Sequence, residues 1–180
     1  RFNSTAANVG FFDQFTDGGN GQRLYWETTS GGLLTFEFYT GGTQTVVFQR
    51  AWTPNTNTWY HVALVRSSST FYYFIDGTQL GTTLTDSDVP GNFTGTVYIG
   101  SLNAGTSMNG WLDEFRLSNG VARWTANFTS PTEAYTSDIG YKVLMESDGD
   151  LTFGIDDDGT SFPEDSATST VATYDDNAWH

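Results

Sequence analysis

The chain has 180 residues, of which 16% are aromatic, and its 21 acidic and 7 basic residues leave a net charge of −14. That balance withholds the basic footprint that a nucleic acid or an anionic membrane surface requires. With no cysteine, disulfide staples, thiolate zinc sites and thiol catalysis are excluded, so the fold must rest on a packed core.

In chain order, short alternating segments are separated by turn residues. Residues 9–15 (VGFFDQF) read as a first strand, and TDGGNG at 16–21 as a loop. Residues 22–27 form a second strand. Residues 33–39 (LLTFEFY) alternate cleanly, with Leu34, Phe36 and Phe38 on one face. Gly41-Gly42 turns the chain into a strand over 46–50, and TPNTNT at 53–58 is a polar loop. Residues 59–84 form a meander. Strands over 60–66 and 71–76 flank a polar turn, and Asp76-Gly77 supplies the positive-φ positions of a type I′ hairpin into a third strand at 79–83. An acidic loop over 85–95 follows, then strands at 96–100 and 110–117. Residues 118–128 read as an irregular or short helical excursion. No stretch carries a helical period of useful length, and none is apolar enough to read as a signal peptide or membrane-inserted segment. Strands of this length, punctuated every 8 to 12 residues, predict an all-β antiparallel sandwich of the jelly-roll type.

Four separated pieces then carry a family resemblance: WYHVALVR (59–66), FIDGT (74–78), VYIG (97–100) and NGWLDEFRLSNGVARW (109–124). In order and spacing they resemble a laminin G-like, concanavalin A-like lectin/glucanase domain over residues 1–135. The resemblance implies a jelly roll of the kind found in adhesins, secreted enzymes and phage structural proteins, where such modules serve attachment. It also implies strands ahead of Arg1, a region that often holds the family's calcium ligands.

Residues 136–180 read as a partial second repeat or an extension. GQRLYWE (21–27) is echoed by GYKVLME (140–146), and LTFEF (34–38) by LTFGI (151–155). Trp59-Tyr60-His61 is answered by Trp179-His180. The near-constant offset suggests an excerpt of a longer tandem protein, running from most of one module into the next.

Catalytic chemistry is weakly written. A glycosidase needs two carboxylates facing one sugar, whereas Asp113 and Glu114 are adjacent and point to opposite faces of a strand. The two histidines, His61 and His180, lack convergent partners. The chain therefore reads as a non-enzyme. Asp113 shares the face of Trp111, Phe115 and Leu117, so it is expected inward. There it would cap the 119–123 excursion, pair with Arg123 or ligate Ca²⁺, and Asp113→Ala is expected to cost about 1–3 kcal/mol.

Calcium, the one cofactor considered, needs clustered hard oxygens. Its candidates are Asp86 with Asp88, Asp113, and Asp156 with Asp158. For a glycan or cell-surface ligand, a flat aromatic beside polar groups is required. Trp52, Asn103, Asn109 and Trp124 are the candidates, with Trp52 the expected exposed ring. The leading reading is a recognition module of an extracellular or virion-surface protein, joined to other modules or subunits. The alternative is a purely structural module of a viral fibre, capsid or surface filament.

Overall fold

A computed structural model of the chain describes residues 1–102, 105–135, 141–145, 151–155 and 165–169. Among these the fold is all-β and antiparallel, with one 3-10 turn at Thr29–Gly31. Backbone contacts divide the chain into two units. One comprises Arg1–Leu112 with Arg123–Ser130, the other Asp113–Ala122 with Pro131–His180.

The first unit is built on β1 (Val9–Asp17), β2 (Asn20–Glu27), β3 (Leu33–Thr40) and β4 (Thr43–Ala51). The meander gives β5 (Val62–Ser67), β6 (Thr70–Ile75), β7 (Thr78–Gln79) and β8 (Leu84–Thr85). β9 (Val97–Ile99) and the ribbon of β10 (Ser101–Leu102) and β11 (Thr106–Ser107) complete it. One sheet runs β4-β3-β2-β1-β9. The other runs β5-β6-β7, with β8 also paired to β6.

Alternation decides what the sheets bury. Leu34, Phe36 and Phe38 of β3 are in the core as expected, joined by Trp26, Val46 and Phe48. Phe71 and Tyr73 of β6 meet them from the opposing sheet. Phe48 and Tyr73 stack at 4.2 Å with rings 4° from parallel, and the Tyr73 hydroxyl donates to the Phe48 carbonyl at 3.0 Å. One residue pair thus joins the sheets by both ring contact and a buried hydrogen bond.

The predicted turn at Asp76-Gly77 forms, with φ of +50° and +76°. The predicted third strand does not run unbroken through 79–83. It splits into β7 and β8, because Arg50 draws the carbonyls of Thr82 and Thr83 toward itself, at 2.6 and 3.1 Å. The expected strand over 110–117 is also broken. Gly110 makes only an isolated bridge to Phe2. Glu114 turns left-handed at φ +52°, and β12 spans just Phe115–Ser118.

Within the 118–128 excursion the described residues form no helix. Instead Arg123–Ser130 straps the outer face of the second sheet. Trp124 and Phe128 pack there on Ala63, Val65 and Phe74. The strap is fixed by Phe128 N–H to Gly77 O and by Gln79 N–H to Asn127 Oδ1, each 2.9 Å. A Cβ at Gly77 would lie 2.0 Å from the Phe128 carbonyl oxygen, so this close approach requires glycine.

The second unit contains β12, β13 (Tyr141–Met145), β14 (Leu151–Ile155) and β15 (Asp165–Ser169), hydrogen-bonded in that order. Its register parallels that of the first unit. Leu24↔Phe36, Tyr25↔Thr35 and Trp26↔Leu34 between β2 and β3 correspond to Val143↔Phe153, Leu144↔Thr152 and Met145↔Leu151 between β13 and β14. The offsets are 119 (143 − 24) on one strand and 117 (153 − 36) on the other. These are the spacings at which the sequences echo.

Removing the Tyr73 hydroxyl leaves the ring stack but orphans a buried bond. Tyr73→Phe should cost about 1 kcal/mol, and Phe48→Ala, which empties the inter-sheet contact, about 3–5 kcal/mol. Urea unfolding of both variants measures this; equal losses would show that the ring contact is not the larger part.

Candidate functional site

Loops at one end of the first sheet form a rim tied by backbone bonds. Trp52 N–H donates to Gly32 O at 3.1 Å, and Trp26 Nε1 donates to Trp52 O at 2.9 Å. Trp52, the aromatic expected to be exposed, is half-buried and edge-on to Phe2 (5.6 Å) and Tyr60 (5.3 Å). Across the loop, Trp59 is 52% exposed instead.

The N-terminal segment gathers the rest of the rim. Asn3 N–H donates to Asn109 O and Trp111 N–H to Arg1 O, both at 2.9 Å. The Arg1 guanidinium lies 4.3 Å from the centre of the Trp111 ring and bonds Asn57 Oδ1 at 3.3 Å. Asn57 and Asn109 are exposed, and Trp111 is 37% exposed. The structure therefore brings Asn109 into an aromatic and amide surface with Trp111 and Asn57, neither of which the sequence singles out as ligand-binding.

Trp124 belongs to a different place. Its ring stacks on Phe128 at 4.0 Å and meets His61 edge-on at 5.5 Å, within the strap. His61 is a packing residue there, and its backbone N–H donates to Asp76 Oδ1 at 2.7 Å. Asn103 lies outside the described residues, as does His180.

The described metal candidates, Asp86, Asp88 and Asp113, form no group of three. Asp86 accepts the Asp88 N–H at 2.9 Å in a local turn. Asp113 is exposed rather than inward, and its carboxylate accepts the Glu114 N–H at 3.0 Å. The left-handed Glu114 breaks the alternation that would have turned Asp113 into the core, so the stability loss expected of Asp113→Ala does not follow. Asp156 and Asp158 lie outside the described residues. Among the described residues, no three His, Asp or Glu side chains gather around a point.

The face of the first sheet turned away from the core carries a polar network. A bulge between Gly10 and Phe12 resets β1, so that Phe12 pairs with Leu24 on the core side while Asp13 opposes Arg23 on the outer side. Glu37 opposes Arg23 from β3. Glu37 takes an ion pair from Arg23 and a short hydrogen bond from Gln44. Beside it, Glu27 accepts from Thr35 at 2.6 Å and Gln49 at 2.8 Å. Burial opposes the Arg23 charge, but the Glu37 carboxylate outweighs it and the guanidinium pKa is raised.

Asp13 and Glu37 share one rung, two strands and so about 9.5 Å apart, near the upper spacing of inverting glycosidase carboxylates. Both are sealed, at 0% and 4% exposure, and Glu37 is held by Arg23 and Gln44.

Two antiparallel sheets closed over an aromatic core, with loops gathered at the ends, make an antiparallel β-sandwich. The model for the concanavalin A-like lectin/glucanases superfamily, of the laminin G group, matches residues 1–126, and the chain belongs to that family. Among solved structures, an S-layer domain-containing protein (residues 221–444) from Clostridium thermocellum aligns at 21% identity and a TM-score of 0.32. The alignment covers 72% of this chain and 62% of that one. No curated protein matches the chain.

Two buried phenols, Tyr25 on the outer face and Tyr73 in the core, give a pH signature. Burial, then the Glu37 and Glu27 carboxylates, push the Tyr25 phenol up to about 12, and burial raises Tyr73 well above its ordinary value. Each folded pKa exceeds the unfolded one, so the stabilisation is whole below about pH 10 and falls as pH rises, by up to about 1.4 kcal/mol per unit per group. In an alkaline titration read by phenolate absorbance, both phenols should stay un-ionised at about pH 11 until the fold opens. Ionisation of every tyrosine before unfolding would contradict this.

Proposed function

We propose that this domain is a non-catalytic recognition module of an extracellular or virion-surface protein, and that its loop rim contacts a glycan. The observation that carries the reading is the exposure of two large rings, Trp59 and Trp111, at a rim that also presents Asn57 and Asn109. Most other large aromatics of this domain are taken up by the core or the strap. The exposed Trp59 indole offers a flat apolar face to a sugar ring, and neighbouring amides supply donors and acceptors for hydroxyls. The sealed state of Asp13 and Glu37 supports recognition over hydrolysis, since neither carboxylate is open to a substrate.

Calcium enters the proposal as an ion away from the rim: its described candidate ligands, Asp86 and Asp88, follow β8 beside Ser69, at the opposite end of β5 and β6 from Trp59. The test is a glycan-array screen in Ca²⁺ and again in EDTA, with Trp59→Ala and Trp111→Ala beside the wild type. Binding should weaken about tenfold in each variant, the scale of one stacking contact. Loss in EDTA alone would place recognition at an ion. Absence of glycan binding by folded protein, with self-association or docking onto fibre subunits instead, would favour the structural alternative.

A further inference from the structure

The second unit repeats three strands of the first at a near-constant spacing and breaks that spacing at the fourth. β13 follows β2 by 119 residues (143 − 24), β14 follows β3 by 117 (153 − 36), and β15 follows β4 by 119 (167 − 48). At the 119-residue interval β1 would recur from Phe128, the counterpart of Val9. Residues 128–135 read FTSPTEAY and form no strand. Pro131 withholds a ladder donor, and apolar residues do not alternate there. The place beside β13 is taken instead by β12, only 106 (115 − 9) and 105 (117 − 12) residues after β1. We infer that the edge of β13 is a β-augmentation site. It takes an extended segment with apolar residues at alternate positions, and the chain fills it with β12, a strand donated from the preceding repeat.

Cross-strand rows show why β12 fits. In the first unit Val9, Trp26 and Leu34 stand opposite one another, as do Phe12, Leu24 and Phe36. Both rows belong to the core, with Leu24 packed against its buried members. In the second unit Phe115, Met145 and Leu151 make one row, and Leu117, Val143 and Phe153 the other. β12 thus brings apolar residues to the two rungs where β1 has them, with Arg116 at the rung between, where β1 has Gly10. The donor lies inside residues 1–126, the stretch that matches the family model, yet neither sheet of the first unit includes it.

Contacts outside the ladder hold the donor within the second unit. Tyr135 N–H donates to Glu114 Oε2 at 2.6 Å, and the Arg116 guanidinium lies 3.9 Å from the centre of the Tyr135 ring. All three residues belong to that unit. A bare sheet edge presents a row of N–H and C=O groups and pairs with whatever extended chain it meets. A donor on the same chain arrives at high effective concentration, so it excludes a strand from a second copy.

The test uses the full 180-residue chain, which has no cysteine of its own. Arg116→Cys with Leu144→Cys places thiols on two opposed residues. Cα atoms of such antiparallel pairs lie about 4.5–5.5 Å apart, within disulfide reach. Mild oxidation of the folded double variant should give an intramolecular disulfide, read by mass spectrometry and non-reducing electrophoresis. Separately, Arg116→Pro with Leu117→Pro removes two consecutive N–H groups, one of which must face β13. Amide hydrogen exchange in β13 and β14 should then be at least about tenfold faster, while β2, β3 and β4 exchange as in the wild type. Leu117→Asp should act as the prolines do, and Leu117→Val should not. Unlinked thiols or a disulfide-linked dimer would overturn the assignment. So would unchanged exchange in β13 and β14, faster exchange in β2 to β4, or equal exchange in the Asp and Val variants.

Discussion

The contact on which the first unit depends is between Phe48 and Tyr73. The stack supplies apolar burial, which is non-directional, while the hydroxyl bond to the Phe48 carbonyl supplies direction. A sandwich held by apolar contact alone could slide by one pleat with modest change in buried area. The bond penalises sliding, because a shift leaves a buried donor unsatisfied. Phe71 beside it touches both Phe36 and Phe48, so the registry set by one pair spreads through the aromatic core.

Strand positions were legible because alternation is a local property. Leu34, Phe36 and Phe38 needed no partner to declare their face, and Asp76-Gly77 declared its turn through backbone preference. What was not legible depended on distant partners. Trp52 and Trp59 both flank the polar loop at 53–58, and no local signal says which turns inward. Phe2, Tyr60 and the Trp26 indole decide it. Asp113 illustrates the opposite failure: a strict alternation was extrapolated across Glu114, whose left-handed backbone ends it. Trp124 is the loop residue expected, but it looked open to a ligand because its partners, His61 and Phe128, come from sequence-distant and irregular segments respectively.

The bulge in β1 has the widest reach of any local irregularity. Without it, Phe11, Asp13 and Phe15 would share one face, and a carboxylate would have to enter the core or an aromatic leave it. One extra residue separates the two demands. Phe11 stays with the core cluster, while Asp13 joins the Arg23 and Glu37 rung and Phe15 packs on Gly21 and Tyr39 at the outer face. A regular pattern of residues carries the fold, and this one of its lapses shapes the outer face.

The strap over the second sheet bears on how this domain would carry tension. Chain leaving after residue 130 is fastened first by the Phe128 and Asn127 bonds and by two stacked rings, lying across Phe74 and Ala63. A pull applied between residue 130 and β13 loads these contacts before it reaches the hydrogen-bond ladders of the first unit's two sheets. The strap would yield first, paying out about eight residues of slack, roughly 26 Å at full extension, while the sandwich stays closed. Such a sacrificial tether lets the domain absorb a tug without surrendering its rim.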